Sequence, residues 1–98
     1  ALSENGCRVF RANVGKVRLE DGRWFDTGLP KGHPDLYGFR ITDGKVFYIE
    51  VKTATGRPRP DQITFHKMLM RYGIIHGIAR SADDAVKIVK NGLIGYGF

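Results

Sequence analysis

Residues 32–52, GHPDLYGFRITDGKVFYIEVK, decide the fold. Asp43-Gly44 is a strong hairpin-turn signal, because both central residues of such a turn favour positive φ. The flanking segments then read as two antiparallel strands. With a two-residue loop, Thr42 faces Lys45, Asp35 faces Lys52 and Tyr37 faces Glu50. Side chains alternate across a strand, so Asp35, Glu50 and Lys52 share one face. Asp35 and Glu50 become diagonal neighbours, roughly 7–8 Å apart at the backbone. A one-residue bulge would reverse the parity, so the face assignment is conditional on an unbroken ladder. Phe47, Ile49 and Val51 occupy the opposite face of the second strand and are expected in the core.

Two carboxylates and an ammonium converging at a sheet end are the donor set of a divalent-metal site with a cationic helper. Magnesium binds through one or two carboxylates, keeps several waters and accepts a phosphate oxygen as a further ligand. Such an ion lowers the pKa of a bound water and shields charge developing on a phosphodiester. An adjacent amine stabilises the same transition state or orients the water. The competing reading is a solvated hairpin face with one cross-strand Asp–Lys pair, worth under about 1 kcal/mol. These three residues alone leave both readings open.

The pattern extends beyond them. Pro34-Asp35 followed by Glu50-Val51-Lys52 resembles the PD-(D/E)XK nuclease signature, which is short. Phe10-Arg11-Ala12-Asn13-Val14-Gly15 precedes it, Gly32-His33-Pro34-Asp35-Leu36 surrounds the aspartate, and Thr53, Gly56-Arg57-Pro58 and Gln62 follow. This ordered set is similar to the virus-type replication-repair nuclease (VRR-NUC) domain from about Gly6 to Ser81. The combination is far more specific than any one piece. The resemblance implies a metal-dependent DNA nuclease with Asp35, Glu50, Lys52 and Gln62 at its catalytic centre. Magnesium or manganese would be held by Asp35, Glu50 and the Val51 carbonyl. The family carries an upstream helix with a further acidic residue. Glu4 is a poor substitute, because it lies too close to Gly6.

The whole sequence, 98 residues, fits one domain over residues 1–98 with a single modest core. The formal net charge of +6 makes nucleic acid the leading partner class, although many small basic domains bind none. The single cysteine, Cys7, excludes an internal disulfide and a Cys-based zinc site, and reads as a core filler. No run of 18 apolar residues and no signal peptide is visible, so the expected location is intracellular, in a bacterial or phage-infected cytoplasm, with no membrane contact.

Residues 1–5 read as the last turn of a helix stopped by Gly6. Residues 7–12 read as a strand. Arg11 and Asn13 there could hold a backbone phosphate, or be a solvent-facing arginine and a turn residue. Residues 16–19 and 23–26 flank Glu20-Asp21-Gly22, a second hairpin signal with Lys16, Arg18 and Arg23 on its rim. Of Trp24 and Phe25, one should pack inward and the other stack on a base, meet another subunit or join a satellite cluster. His33 could contact metal-bound water or DNA, but a lone loop histidine is usually neither. Arg57 and Arg59, stiffened by prolines, form either a phosphate-steering loop or an ordinary connection.

Asp61 can cap a helix running to about Tyr72, with Phe65, Met68, Leu69 and Tyr72 as its core stripe. Gln62 in its first turn could orient a water or phosphate oxygen, or be merely solvated. Residues 74–80 read as a strand parallel to the Glu50 strand, through a right-handed crossover. Ser81 caps a last helix whose apolar face is Ala82, Ala85, Val86 and Val89. The tail, LIGYGF, folds back on the core or joins a dimer interface.

The expected fold is therefore α/β, a PD-(D/E)XK restriction-endonuclease-like core with a mixed sheet of about four strands flanked by helices. The resemblance further implies a structure-selective endonuclease acting as a homodimer on branched DNA such as four-way (Holliday) junctions in DNA repair. Lys16, Arg11, Asn13, Arg57 and Arg59 would contact the DNA. The alternatives are a catalytically inert DNA-binding module, or a nuclease subunit of a larger phage or bacterial replication and repair complex.

Overall fold

The central hairpin forms from strands β4 (Leu36–Arg40) and β5 (Val46–Val51), but its loop is wider than the Asp-Gly signal suggests. Residues 41–45 lie between the strands, and a four-residue tip, 41–44, is closed by the Arg40 amide donating to the Lys45 carbonyl at 2.9 Å and the Gly44 amide to the Arg40 carbonyl at 2.8 Å. Asp43 explains the extra width. Its carboxylate accepts the Lys45 amide at 3.0 Å and also binds the Arg40 guanidinium, so it closes a larger loop from inside. The register moves by two residues from the expected one, to Tyr37↔Tyr48 and Gly38↔Phe47. A shift of two leaves every side chain on its expected face.

The computed structural model describes residues 2–12 and 31–98, and the backbone of 16–18 and 24–26. A 3₁₀ turn at Ser3–Asn5 leads into β1 (Cys7–Arg11). Strands β2 (Lys16–Arg18) and β3 (Trp24–Asp26) pair antiparallel as a separate ribbon. The expected turn at residues 20–22 and the side chains of Trp24 and Phe25 lie outside the described residues. After the central hairpin come α1 (Pro60–Arg71), β6 (Ile75–Ala79), α2 (Ala82–Lys90) and β7 (Ile94–Tyr96).

The main sheet has five strands in the order β1-β4-β5-β6-β7, one more than expected. The β1–β4 and β4–β5 pairs are antiparallel, while β5, β6 and β7 are mutually parallel. The extra strand is the tail, whose residues 94–96 pair with His76 and Gly77 at the edge of β6. This supports the mixed α/β class and the PD-(D/E)XK-like fold.

One sheet face carries the main core. Phe47 and Ile49 pack there with Cys7, Ile75, Ala79 and, from α2, Ala85, Ile88 and Val89. Ser81 caps α2, its hydroxyl accepting the Asp84 amide at 3.1 Å. Two expected core residues are not in it. Val51, the last residue of β5, is 51% exposed, and Ala82 is exposed in the first turn of α2; both line an open groove with Leu2 and Ala85.

The other face carries Tyr48, Glu50, His76 and Ile78, and α1 lies over it. The helix begins two residues earlier than expected: Arg59 is the N-cap, and Pro60 occupies the first helical position, where its missing N–H would be unpaired anyway. Asp61 is inside the helix, with Oδ1 accepting the Gln62 amide at 3.0 Å. The expected apolar stripe is only partly buried. Leu69 is buried and Phe65 half-buried, whereas Met68 and Tyr72 are 43% and 68% exposed. The buried line of α1 instead runs through Gln62 and Leu69, and half-buried His66 bonds His76 at 2.8 Å between ring nitrogens. The sheet beneath carries buried Glu50 and His76, and the helix matches them with Gln62 and His66.

Candidate functional site

The site forms where β5 ends. Extending the β4–β5 register one step beyond Leu36↔Ile49 sets Asp35 across from Glu50, rather than across from Lys52 as the two-residue loop predicted. The Ala12 amide donates to the Asp35 carbonyl at 2.9 Å, fixing this backbone from the β1 side. The Asp35 carboxylate accepts the Val51 amide at 2.9 Å through Oδ2. It is thereby held against the end of β5, beside Glu50.

Glu50 is only 3% exposed. Its Oε1 accepts a hydrogen bond from Gln62 Nε2 at 2.8 Å, and Gln62 Oε1 accepts the Arg59 amide at 2.9 Å. One buried amide thus links the start of α1 to the carboxylate on β5, using both of its ends. Gln62 satisfies an orphan amide of the helix terminus and fixes the Glu50 side chain at once.

Burial pushes the Glu50 carboxyl up to about 8, helped by a hydrogen bond to Asp35 and by the charge of that residue. The Lys52 and Arg59 cations pull it back down. Two carboxyl groups this close oppose each other's ionisation, which favours the protonated form of Glu50 near neutral pH.

Around the pair opens a cleft of about 890 Å³, lined by Lys31, Asp35, Glu50, Lys52, Arg59 and Gln62 among others. Lys52 is half-buried, and its ammonium makes no hydrogen bond or salt bridge with a described residue. The cleft lies at the carboxyl end of β5, beside the amino end of β4. Among the described residues, no group of three or more His, Cys, Asp or Glu side chains is placed to hold a metal ion.

The cationic residues divide. Arg59 lines the cleft, with its Nε 3.3 Å from Asp61. Arg11 and Arg57 are exposed and outside its lining. Lys16 belongs to β2 by its backbone, while its side chain and all of Asn13 lie outside the described residues.

Two residues that position the site escaped sequence reasoning. Gly32 has φ +83°, and a Cβ on it would lie 2.2 Å from the Asp61 carbonyl oxygen. The 31–33 loop therefore packs directly on the first turn of α1, beside Gln62. The other is Arg80, whose Nη1 donates to the carbonyls of Thr53 and Gly56 at 2.5 and 2.6 Å and pins the loop after β5. Its signal was available. In a parallel pair with Val51 beside Ala79, the residue that follows β6 reaches the segment leaving β5.

The family model for the VRR-NUC domain matches residues 5–83, most of the chain. The chain belongs to the VRR-NUC family. No curated protein and no solved structure matches it. Membership of the VRR-NUC family gives a nuclease-type function with DNA as the substrate, in a family that generally uses divalent metals. Asp35, Glu50 and Lys52 all lie within the matched span. No helix among the described residues is long and apolar enough to cross a membrane.

Proposed function

We propose that this VRR-NUC protein is a single-domain, magnesium- or manganese-dependent endodeoxyribonuclease that hydrolyses phosphodiester bonds of branched DNA as a homodimer. The observation that carries the reading is the Asp35–Glu50 pair: two carboxyls brought together at the end of β5, one of them buried, beside a lysine in an open cleft. A divalent cation suits this donor set. It would displace the proton on Glu50 and compensate both charges, and one or two carboxylates are what magnesium asks of a protein.

Asp35, Glu50 and the Val51 carbonyl would hold the ion. Bound there, it would supply a water of lowered pKa and a counter-charge for the phosphoryl oxygens. Gln62 holds Glu50 in one orientation through the 2.8 Å bond. Lys52 lines the same cleft, where its ammonium would orient the attacking water or stabilise the pentacovalent phosphate. Arg59 and Lys31 stand on the cleft wall, where a backbone phosphate can be steered.

The test is hydrolysis of single-stranded, duplex, flap and four-way DNA, each with and without divalent metal. Cleavage that needs metal, prefers branched DNA, and falls at least a hundredfold in Asp35→Ala and Lys52→Ala is the expected result. Wild-type turnover in either purified variant would remove the mechanism. Symmetric cutting of a four-way junction needs two centres related by a two-fold axis. A monomeric mass in sedimentation, with undiminished junction cleavage, would contradict the dimer. Calorimetry that detects no magnesium or manganese binding, with DNA binding retained, would favour an inert binding module.

A further inference from the structure

A second cavity, of about 510 Å³, adjoins the cleft and is not used by the chemistry proposed above. Its walls include Lys31, His33 and Asp61, which also line the cleft, so the two spaces share one side. Its remaining lining is largely aromatic and thioether: Tyr48, Phe65 and Met68. His33 stands at the junction, with its ring 5.5 Å from Tyr48 and 5.3 Å from Phe65, both nearly edge-on, and Tyr48 lies 6.1 Å from Phe65. His33 Nδ1 donates to the Pro34 carbonyl at 2.8 Å, which fixes the ring plane. Met68, on the outer side, is 43% exposed. Aromatic and thioether side chains thus stand directly beside a polar, cationic cleft.

We infer that this cavity takes one unpaired nucleobase of the DNA strand whose phosphate lies at Asp35 and Glu50. The inference rests on the nuclease reading and narrows it, because it names the substrate feature that the site requires. A base inside a duplex is held in its stack and cannot enter. A base at a flap, a nick or a junction crossover is already unstacked and enters at little cost. Aromatic faces stack on any base, so the cavity selects strand structure rather than sequence. The Lys31 ammonium, on the wall common to both spaces, suits the phosphate linking the scissile nucleotide to the captured one.

The experiment measures binding in EDTA, so that no strand is cut, by anisotropy of fluorescein-labelled flap DNA. Abasic sites are placed one at a time along the unpaired arm and across the branch point. Stacking of one base on a protein ring is worth about 5- to 150-fold in affinity. One or two adjacent positions should therefore show a loss of at least about fivefold, and the others almost none. In Phe65→Leu, which keeps an apolar side chain on α1, and in Met68→Trp, which fills the cavity from its exposed rim, that positional loss should vanish.

Equal losses at every position would overturn the proposal, as would a positional loss that persists in both variants. A second copy of the chain seated in the cavity would appear as a change of sedimentation mass in Phe65→Leu without any positional loss, and would overturn it too. The nuclease reading fails separately. A position-sensitive binder that never cuts with magnesium or manganese refutes the chemistry and leaves the base cavity standing.

Discussion

Glu50 makes a sharp prediction about stability and pH. Its carboxyl is pushed from 4.5 up to about 8 in the folded protein. Below pH 4.5 the folded and unfolded chains both hold the proton, and Glu50 contributes no slope. Between pH 4.5 and 8 the unfolded chain has released the proton and the folded chain has not, so stability falls as pH rises. Above about 8 both states are ionised and the loss is complete. At about 1.36 kcal/mol per pH unit, that displacement corresponds to a loss on the order of 4–5 kcal/mol. This is a large part of the stability of a small domain.

The assay is urea unfolding followed by circular dichroism, in EDTA, from pH 4.5 to 9, on wild type and Glu50→Gln. The raw profile contains an opposing component. His66 and His76 are both pushed down by burial, so stability falls as pH drops through the ordinary histidine range. The difference between wild type and Glu50→Gln isolates the carboxyl, because the amide cannot titrate. That difference should grow by several kcal/mol from pH 5 to 8. Millimolar magnesium or manganese should then recover part of the wild-type loss at pH 8, by about 2.7 kcal/mol at a hundred times Kd, and recover little in Glu50→Gln. A difference profile that stays flat across this window would refute the buried, proton-sharing pair.

Other outcomes follow from the same geometry. Gln62→Leu removes the 2.8 Å bond to Glu50 and the side-chain acceptor of the Arg59 amide; it should cost about 2 kcal/mol or more in urea and lower metal-dependent cleavage at saturating DNA. Gly32→Ala meets both a left-handed backbone and the Asp61 carbonyl, so its unfolding midpoint should drop by the equivalent of at least about 2 kcal/mol, with cleavage reduced because the start of α1 moves. Arg80→Ala should leave the β5–β6 ladder intact and increase proteolytic nicking within residues 53–56, detectable by mass spectrometry of limited digests.

How much of this was readable beforehand differs from residue to residue. The shared face of Asp35 and Glu50 was readable despite a wrong register, because the error was two residues and strand parity has a period of two. What the error hid was closeness: the acids stand directly across from one another instead of on a diagonal. The α1 stripe was misread because a hydrophobic pattern assumes an apolar partner. The sheet beneath that helix presents Glu50 and His76, so Gln62 is buried and Met68 and Tyr72 are not. Residues 94–96 gave no strand pattern, being short and centred on glycine, and they pair only because β6 leaves an edge beside them. Gly32 and Arg80 act on backbone atoms of distant segments, which periodicity along one segment does not reveal.

The four-residue tip of the central hairpin has a bearing on how such chains diverge and can be re-engineered. Two residues removed from, or added to, residues 41–44 slide the partners along each other while both acids still point into one cavity. A single-residue insertion accommodated by slippage would turn one of them through the sheet and separate the pair. Length variation at this tip among working relatives should therefore come in even steps, unless a bulge absorbs the odd residue before it reaches Asp35.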